Sequence, residues 1–239
     1  FTLFKELGVT VWRGSIGWDD YEPEQGHWYA NADPIYVRYV SNDDEYGWDI
    51  AAWKQPFAKA LEAYQQALDA ELSLGRQGEV AFVKRSIGVT LTKLRRVDEA
   101  IEQFQKTIGM DDRFAYARVN LGRAYLMKND FPAAIAECEK ALALSDDPRP
   151  LVILARAYAK LGQLEKARQQ LEQLEKIAGQ KYVSAYYFAL VYVGLNERDR
   201  AFEQLEKAFQ DREGRMTLLS VDPLMDEIRA DSRFADLLN

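Results

Sequence analysis

The chain has 239 residues, 48 % hydrophobic and 29 % charged, enough apolar content to bury a core and too much for a disordered polyelectrolyte. With 31 Lys+Arg against 38 Asp+Glu the net charge is -7, the wrong sign for general nucleic-acid binding, which needs a cationic face to displace counterions. The single cysteine, Cys138, excludes an intrachain disulfide framework and a multi-cysteine metal site. No apolar run reaches the ~18–20 residues of a membrane span.

Residues 1–40 are built differently from the rest of the chain. All five tryptophans (Trp12, Trp18, Trp28, Trp48, Trp53) and the sole histidine, His27, precede residue 54, so a join is expected between Asn31 and Trp53. Val9 to Arg13 and Ile35 to Val40 read as strands by their β-branched and aromatic content, with an acidic turn stretch, Asp19 to Gly26, between them. The opening Phe1-Thr2-Leu3 is similar to that of a mature type IV pilin, but Lys5, Arg13 and the glycines at 8, 14 and 17 interrupt the long apolar helix a pilin requires. Residues 3–29, through Leu7-Gly8-Val9-Thr10-Val11-Trp12-Arg13-Gly14 and Glu22-Pro23-Glu24-Gln25-Gly26, locally resemble the opening strand and loop of barrel-fold glycoside hydrolases. The paired carboxyl groups of those enzymes come from later barrel strands that this chain lacks. Glu22 and Glu24 are too close to the Pro23 turn to oppose each other across a pocket. A short β-rich appendage packed on the rest of the chain is the expectation.

From residue 41 onward the composition is that of helices, rich in Ala, Leu, Glu, Gln, Lys and Arg. Ser41 and Asp44 form a capping box for a helix running to about Trp53. A period then appears. Small residues recur at Gly88, Gly122, Ala155 and Ala189, in steps of 34, 33 and 34, and twelve residues after each stands Ala100, Ala134, Ala167 or Ala201. Three after each small residue comes Leu91, Tyr125, Tyr158 or Tyr192. The interval of twelve is constant because two antiparallel helices packed closely lock each other's register. Only the joins between units can absorb a change of length, as at Ser145-Asp146-Asp147-Pro148.

These residues resemble the tetratricopeptide repeat, a 34-residue helix–turn–helix unit. Asn120-Leu121-Gly122-Arg123-Ala124-Tyr125 with Asn129-Asp130-Phe131-Pro132-Ala133-Ala134 carries the likeness most fully, and Leu154 to Tyr158 and Phe188 to Tyr192 repeat it. An earlier unit shows at Ala60-Leu61-Glu62-Ala63-Tyr64, 40 residues before Ala100, so the helices flanking Gly75 and Gly78 should be long. The first unit is degenerate, with Trp48 at the small-residue position. The resemblance spans about residues 42–211 and implies an all-α solenoid of about five helix pairs. Turns are expected near residues 55–57, 95–97, 128–131, 161–164 and 195–198. Residues 212–239 then form capping helices, starting at Asp222-Pro223 and Asp231-Ser232 and burying Leu224, Ile228, Phe234, Leu237 and Leu238.

In this family the first helix of each unit lines a concave groove that holds a peptide. The register puts Phe82, Arg85, Val89 and Lys93 there, then Tyr116, Val119, Asn120, Arg123 and Met127. Arg149, Val152, Arg156 and Lys160 follow, and lastly Val183, Tyr186 and Leu190. Six of these are cations and none is a carboxylate, so the groove should steer an acidic partner. Arg85, Asn120 and Arg149 occupy columns that some family members use to grip a C-terminal carboxylate, although Val89 stands where that clamp has a second Asn. Reversing Arg123 and Arg156 to Glu is expected to weaken capture without unfolding.

One histidine and one cysteine cannot assemble a catalytic or metal-binding set, and there is no Gly-rich phosphate loop. Cys138 falls in the core column of Phe104, Leu171 and Leu205 and should be an inert buried thiol. The expected function is therefore a non-catalytic scaffold for a protein or peptide partner, with no cofactor and no membrane span. The alternative is a structural subunit. The acidic stretch Asp19 to Glu24 complements the cationic groove, which would let copies assemble head to tail into a ring or filament.

Overall fold

The computed structural model describes residues 50–75 and 77–238. The expected strands, the capping box at Ser41 and the role of residues 1–40 lie outside them. The described residues form an α-solenoid with no strand. Its helices are α1 (Ile50–Ser73), α2 (Gln77–Lys93), α3 (Val97–Met110), α4 (Ala115–Met127), α5 (Phe131–Leu144), α6 (Arg149–Lys160), α7 (Leu164–Ala178), α8 (Ala185–Gly194) and α9 (Arg198–Gln210). Two 3₁₀ turns, Gly214–Leu218 and Pro223–Ile228, and the short α10 (Ser232–Asp236) follow. No described helix is long and apolar enough to cross a membrane.

Four hairpins repeat: α2–α3, α4–α5, α6–α7 and α8–α9. Their turns fall at 94–96, 128–130, 161–163 and 195–197, where the twelve-residue register puts them. Each turn carries one residue of positive φ, five positions before the register alanine: Arg95 (φ 62), Asn129 (φ 62), Gly162 (φ 72) and Asn196 (φ 59). That residue ends the first helix in the left-handed conformation typical of helix C-termini. The turn expected near 55–57 is not made. Helix α1 runs unbroken through it, with Gln55 at the equivalent position inside the helix. So α1 serves as one long second helix against α2 rather than as half of a hairpin. At 24 and 17 residues, α1 and α2 are longer than the other helices of the array, as the 40-residue interval requires.

Small residues sit where helices cross. Ala100, Ala134, Ala167 and Ala201 are fully buried, as are Ala155 and Ala189. A Cβ on Gly88 would stand 2.5 Å from the Phe104 ring, and one on Gly122 would stand 2.5 Å from Cys138 Sγ. First helices also pack on first helices: α2 on α4, α4 on α6 and α6 on α8. They form the inner layer and the second helices the outer one. The apolar interior divides into two main clusters that meet at α4, one around Leu61, Ile87 and Phe104, the other around Leu154, Tyr186 and Phe202.

Candidate functional site: the concave face

The inner layer does not present an empty groove. After α9 the chain turns back, beginning with Glu213. Its buried carboxylate accepts hydrogen bonds from the Ser184 hydroxyl and from the backbone N–H groups of Ala185 (2.7 Å) and Tyr186 (3.3 Å). The first turn of a helix has N–H groups without intrahelical acceptors and the positive end of the helix dipole, so an acid arriving there from a distant part of the chain is well placed. From this anchor, residues 214–228 run across the first helices of the units.

Asp222 is the centre of that crossing. It is 1 % exposed, caps its own 3₁₀ turn by accepting from Leu224 N (2.9 Å), pairs with Arg123 from α4 and accepts from the Tyr186 hydroxyl of α8 (3.2 Å). Burial works against the carboxylate, but Arg123 and Lys93 beside it, with its hydrogen bonds, hold its pKa well below the usual carboxylate range. Burial first, then the Asp222 charge, pushes the Tyr186 hydroxyl up, so it stays a donor. Glu227 takes Arg156 (2.7 Å) and Lys160 (2.6 Å) of α6, and Asp226 takes Arg95 from the α2–α3 turn (2.8 Å). Arg156 is 3 % exposed and also donates to the Leu190 carbonyl (2.7 Å). Its pKa is lowered by burial, against which Glu227 and Asp222 pull upward.

The expected groove residues are thus sorted into two rows. Along the C-terminal ends of the first helices, Lys93, Arg123, Met127, Arg156 and Lys160 meet residues 222–227. Lys93 acts on Asp222 through its charge, and Met127 lines with Arg95, Asn129, Lys160, Pro223 and Glu227 a hollow of about 380 Å³. Tyr186, at 1 % exposure, belongs to the core beneath them. Along the N-terminal ends stand Phe82, Arg85, Tyr116, Asn120 and Arg149. Arg85 lies over the Phe82 ring (4.9 Å to the centroid) and Arg149 over the Tyr116 ring (4.3 Å). Arg149 also pairs with Asp147 (2.7 Å), and the Asn120 amide donates to the Tyr116 carbonyl (2.9 Å). Tyr116 is 38 % exposed, whereas Arg85 is buried at 5 %.

The groove therefore is not free of carboxylates. A register of first helices alone could not reveal Asp222, Asp226 and Glu227, because they arrive from outside the repeats. Reversal of Arg123 and Arg156 accordingly becomes a stability lesion: it would set like charges against buried or half-buried carboxylates. The charge pattern of residues 222–227, an acidic run after the last repeat, was the available signal.

Two family models described as tetratricopeptide repeat match the chain, over residues 87–150 and 127–191. Residues 87–191 carry tetratricopeptide repeats. The helices flanking the matched residues continue the same register, from α2 to α9. Among solved structures the chain is similar to one from the APC/C hetero-tetramer Cut9–Hcn1, at 14 % identity and a TM-score of 0.51, covering 85 % of this chain and 41 % of that one. At that identity the likeness concerns the fold, and the present chain spans less than half of the other's length. Comparison with curated proteins gives no match. Repeats of this kind are protein-interaction scaffolds, and this chain has that architecture.

Proposed function

We propose that the chain is a non-catalytic scaffold that holds a peptide segment of a protein partner on the row left open by the C-terminal segment, the N-terminal ends of α2, α4 and α6. The observation that carries this reading is the exposed Tyr116 ring, stacked under Arg149 and beside Phe114 (6.4 Å, edge-on), in line with Phe82 one unit earlier. Aromatic rings with a guanidinium partner provide area and directionality at low entropic cost, the composition of binding hot spots. The affinity for acidic segments expected of the cationic columns is partly used within the molecule, since Arg123, Arg156 and Lys160 hold Asp222 and Glu227. An external acidic segment or carboxylate would meet Arg149 and Asn120.

A photo-reactive amino acid at position 116 tests this, with one at Phe209, exposed at the end of α9, as the control. Cross-links to one defined partner segment from position 116 and not from 209, lost on substituting Asn120 and Arg149, are the expected result. Equal labelling from both positions would place the contact elsewhere.

A further inference from the structure

Residues 214–238 are held to the repeats by two apolar contacts of very different size. Leu219, Leu224, Met225, Ile228 and Phe234 belong to the large cluster of α6, α8 and α9, each at 4 % exposure or less. Leu218 and Val221 instead meet Phe57 of α1, with Leu94 beside them, in a separate small cluster. The first contact closes the end of the solenoid. The second reaches back over the inner layer to its opposite end, so the first helix and the last segment touch.

We propose that Leu218 and Val221 are a strap that latches the first repeat onto the concave face and opens without the rest of the segment leaving. The two contacts differ in what they cost to break. Releasing the residues of the large cluster would uncover α8, which is apolar all round, together with the buried Asp222–Arg123 pair. Releasing the strap uncovers three side chains and the exposed Arg95–Asp226 ion pair, whose partners are 36 % and 44 % accessible and which contributes little in water. The inner layer also offers a place to bend. The two main apolar clusters meet at α4, where Leu121 and Ala124 belong to the first and Leu126 to the second. A small opening about α4 carries α1–α3 away from the strap and widens the inner face beside Phe82 and Tyr116. Local opening of this kind, in a unit bounded by its own apolar cluster, is the ordinary route by which elongated repeat arrays adjust. The strap rests on the reading of the concave face as the partner site, which it would regulate.

Native-state hydrogen exchange on the full chain tests it, for the parent, for Leu218→Ala with Val221→Ala, and for Asp226→Ala. Asp226 lies on the surface, so its variant keeps the fold even if the double variant does not. The strap requires exchange in residues 57–93 to rise by about tenfold or more in the double variant and by a smaller factor in Asp226→Ala, while residues 150–208 keep the parent's protection. Unchanged exchange in residues 57–93, or an equal rise throughout the chain, overturns the strap. A failure of cross-linking at position 116 would leave this result standing and would instead remove the partner site.

Discussion

Single positions in this chain are decided by the closeness of helices, and the cleanest case is Gly122. A Cβ there would lie 2.5 Å from Cys138 Sγ and 3.2 Å from the Ala134 carbonyl oxygen. The sulfur is itself buried and cannot retreat. Gly122→Ala is therefore expected to cost roughly 1–3 kcal/mol by overpacking. A urea midpoint equal to the parent's would show that α4 and α5 do not cross there. The same burial, reinforced by Glu137, pushes the Cys138 thiol up and keeps it an inert core residue. Asp222 makes a pH-dependent contribution of known sign. Its pKa is below the ordinary ~3.9 of an unfolded aspartate, so between those two values the unfolded chain binds the extra proton. The stability it contributes is complete above about pH 4 and is lost as the pH falls below that value. Asp222→Asn should lower the urea midpoint at pH 7, by removing the charge that Arg123 faces, and flatten the fall in midpoint between pH 5 and pH 3. Parallel curves for the two proteins would show that the carboxylate does not interact as described.

At the scale of elements, the turns carry the repeat as much as the helices do. Gly162 and Gly109 make a matched pair, since a Cβ would have no neighbour within 4 Å at either. Gly162 has φ +72 in the α6–α7 turn, whereas Gly109 lies within α3. Alanine at 162 should cost about 1–2 kcal/mol from backbone conformation alone. Alanine at 109 should raise stability by about 0.5–1 kcal/mol through its better helix propensity. Opposite shifts in thermal midpoint are the expected outcome, and equal shifts would contradict the turn geometry. In α1 the helix continues through position 55, so the turn expected near residues 55–57 is not made. The alanine register was legible there, but a register records which helices pack and not whether a turn separates them.

For the whole molecule, the C-terminal segment and the charge distribution matter most. Of the chain's charged residues, ten carboxylates and three cations lie in residues 1–49, leaving 28 of each sign for the remainder. The net charge of -7 therefore describes the first 49 residues, and the repeats with their C-terminal segment are balanced. The complementarity between Asp19 to Glu24 and the groove, which motivates assembly between copies, faces a surface where Asp222, Asp226 and Glu227 already pair. Ending the chain at Arg212 should remove the cap on α8 and uncover the cluster around Tyr186 and Phe202. Aggregation in size-exclusion chromatography, with helical signal retained, is the expected behaviour. A monodisperse truncated chain as stable as the parent would make residues 213–238 a passive tail.

Read alone, the sequence determined the repeat: its period, its four hairpin turns, its small crossing residues, the buried Cys138 and the set of first helices. All of these follow from local rules, because a helix pair that locks its own register must repeat small residues at constant spacing and can vary only at the joins. It also placed Phe82, Tyr116, Asn120 and Arg149 on one face. Tertiary structure alone decided that the cations of that face divide into two rows. Arg123 and Asp222 are 99 residues apart, Arg156 and Glu227 71, and Arg95 and Asp226 131. No periodicity links such pairs. They meet because an all-apolar α8 cannot end a solenoid in water, and the chain that turns back to cover it crosses the inner layer with its carboxylates.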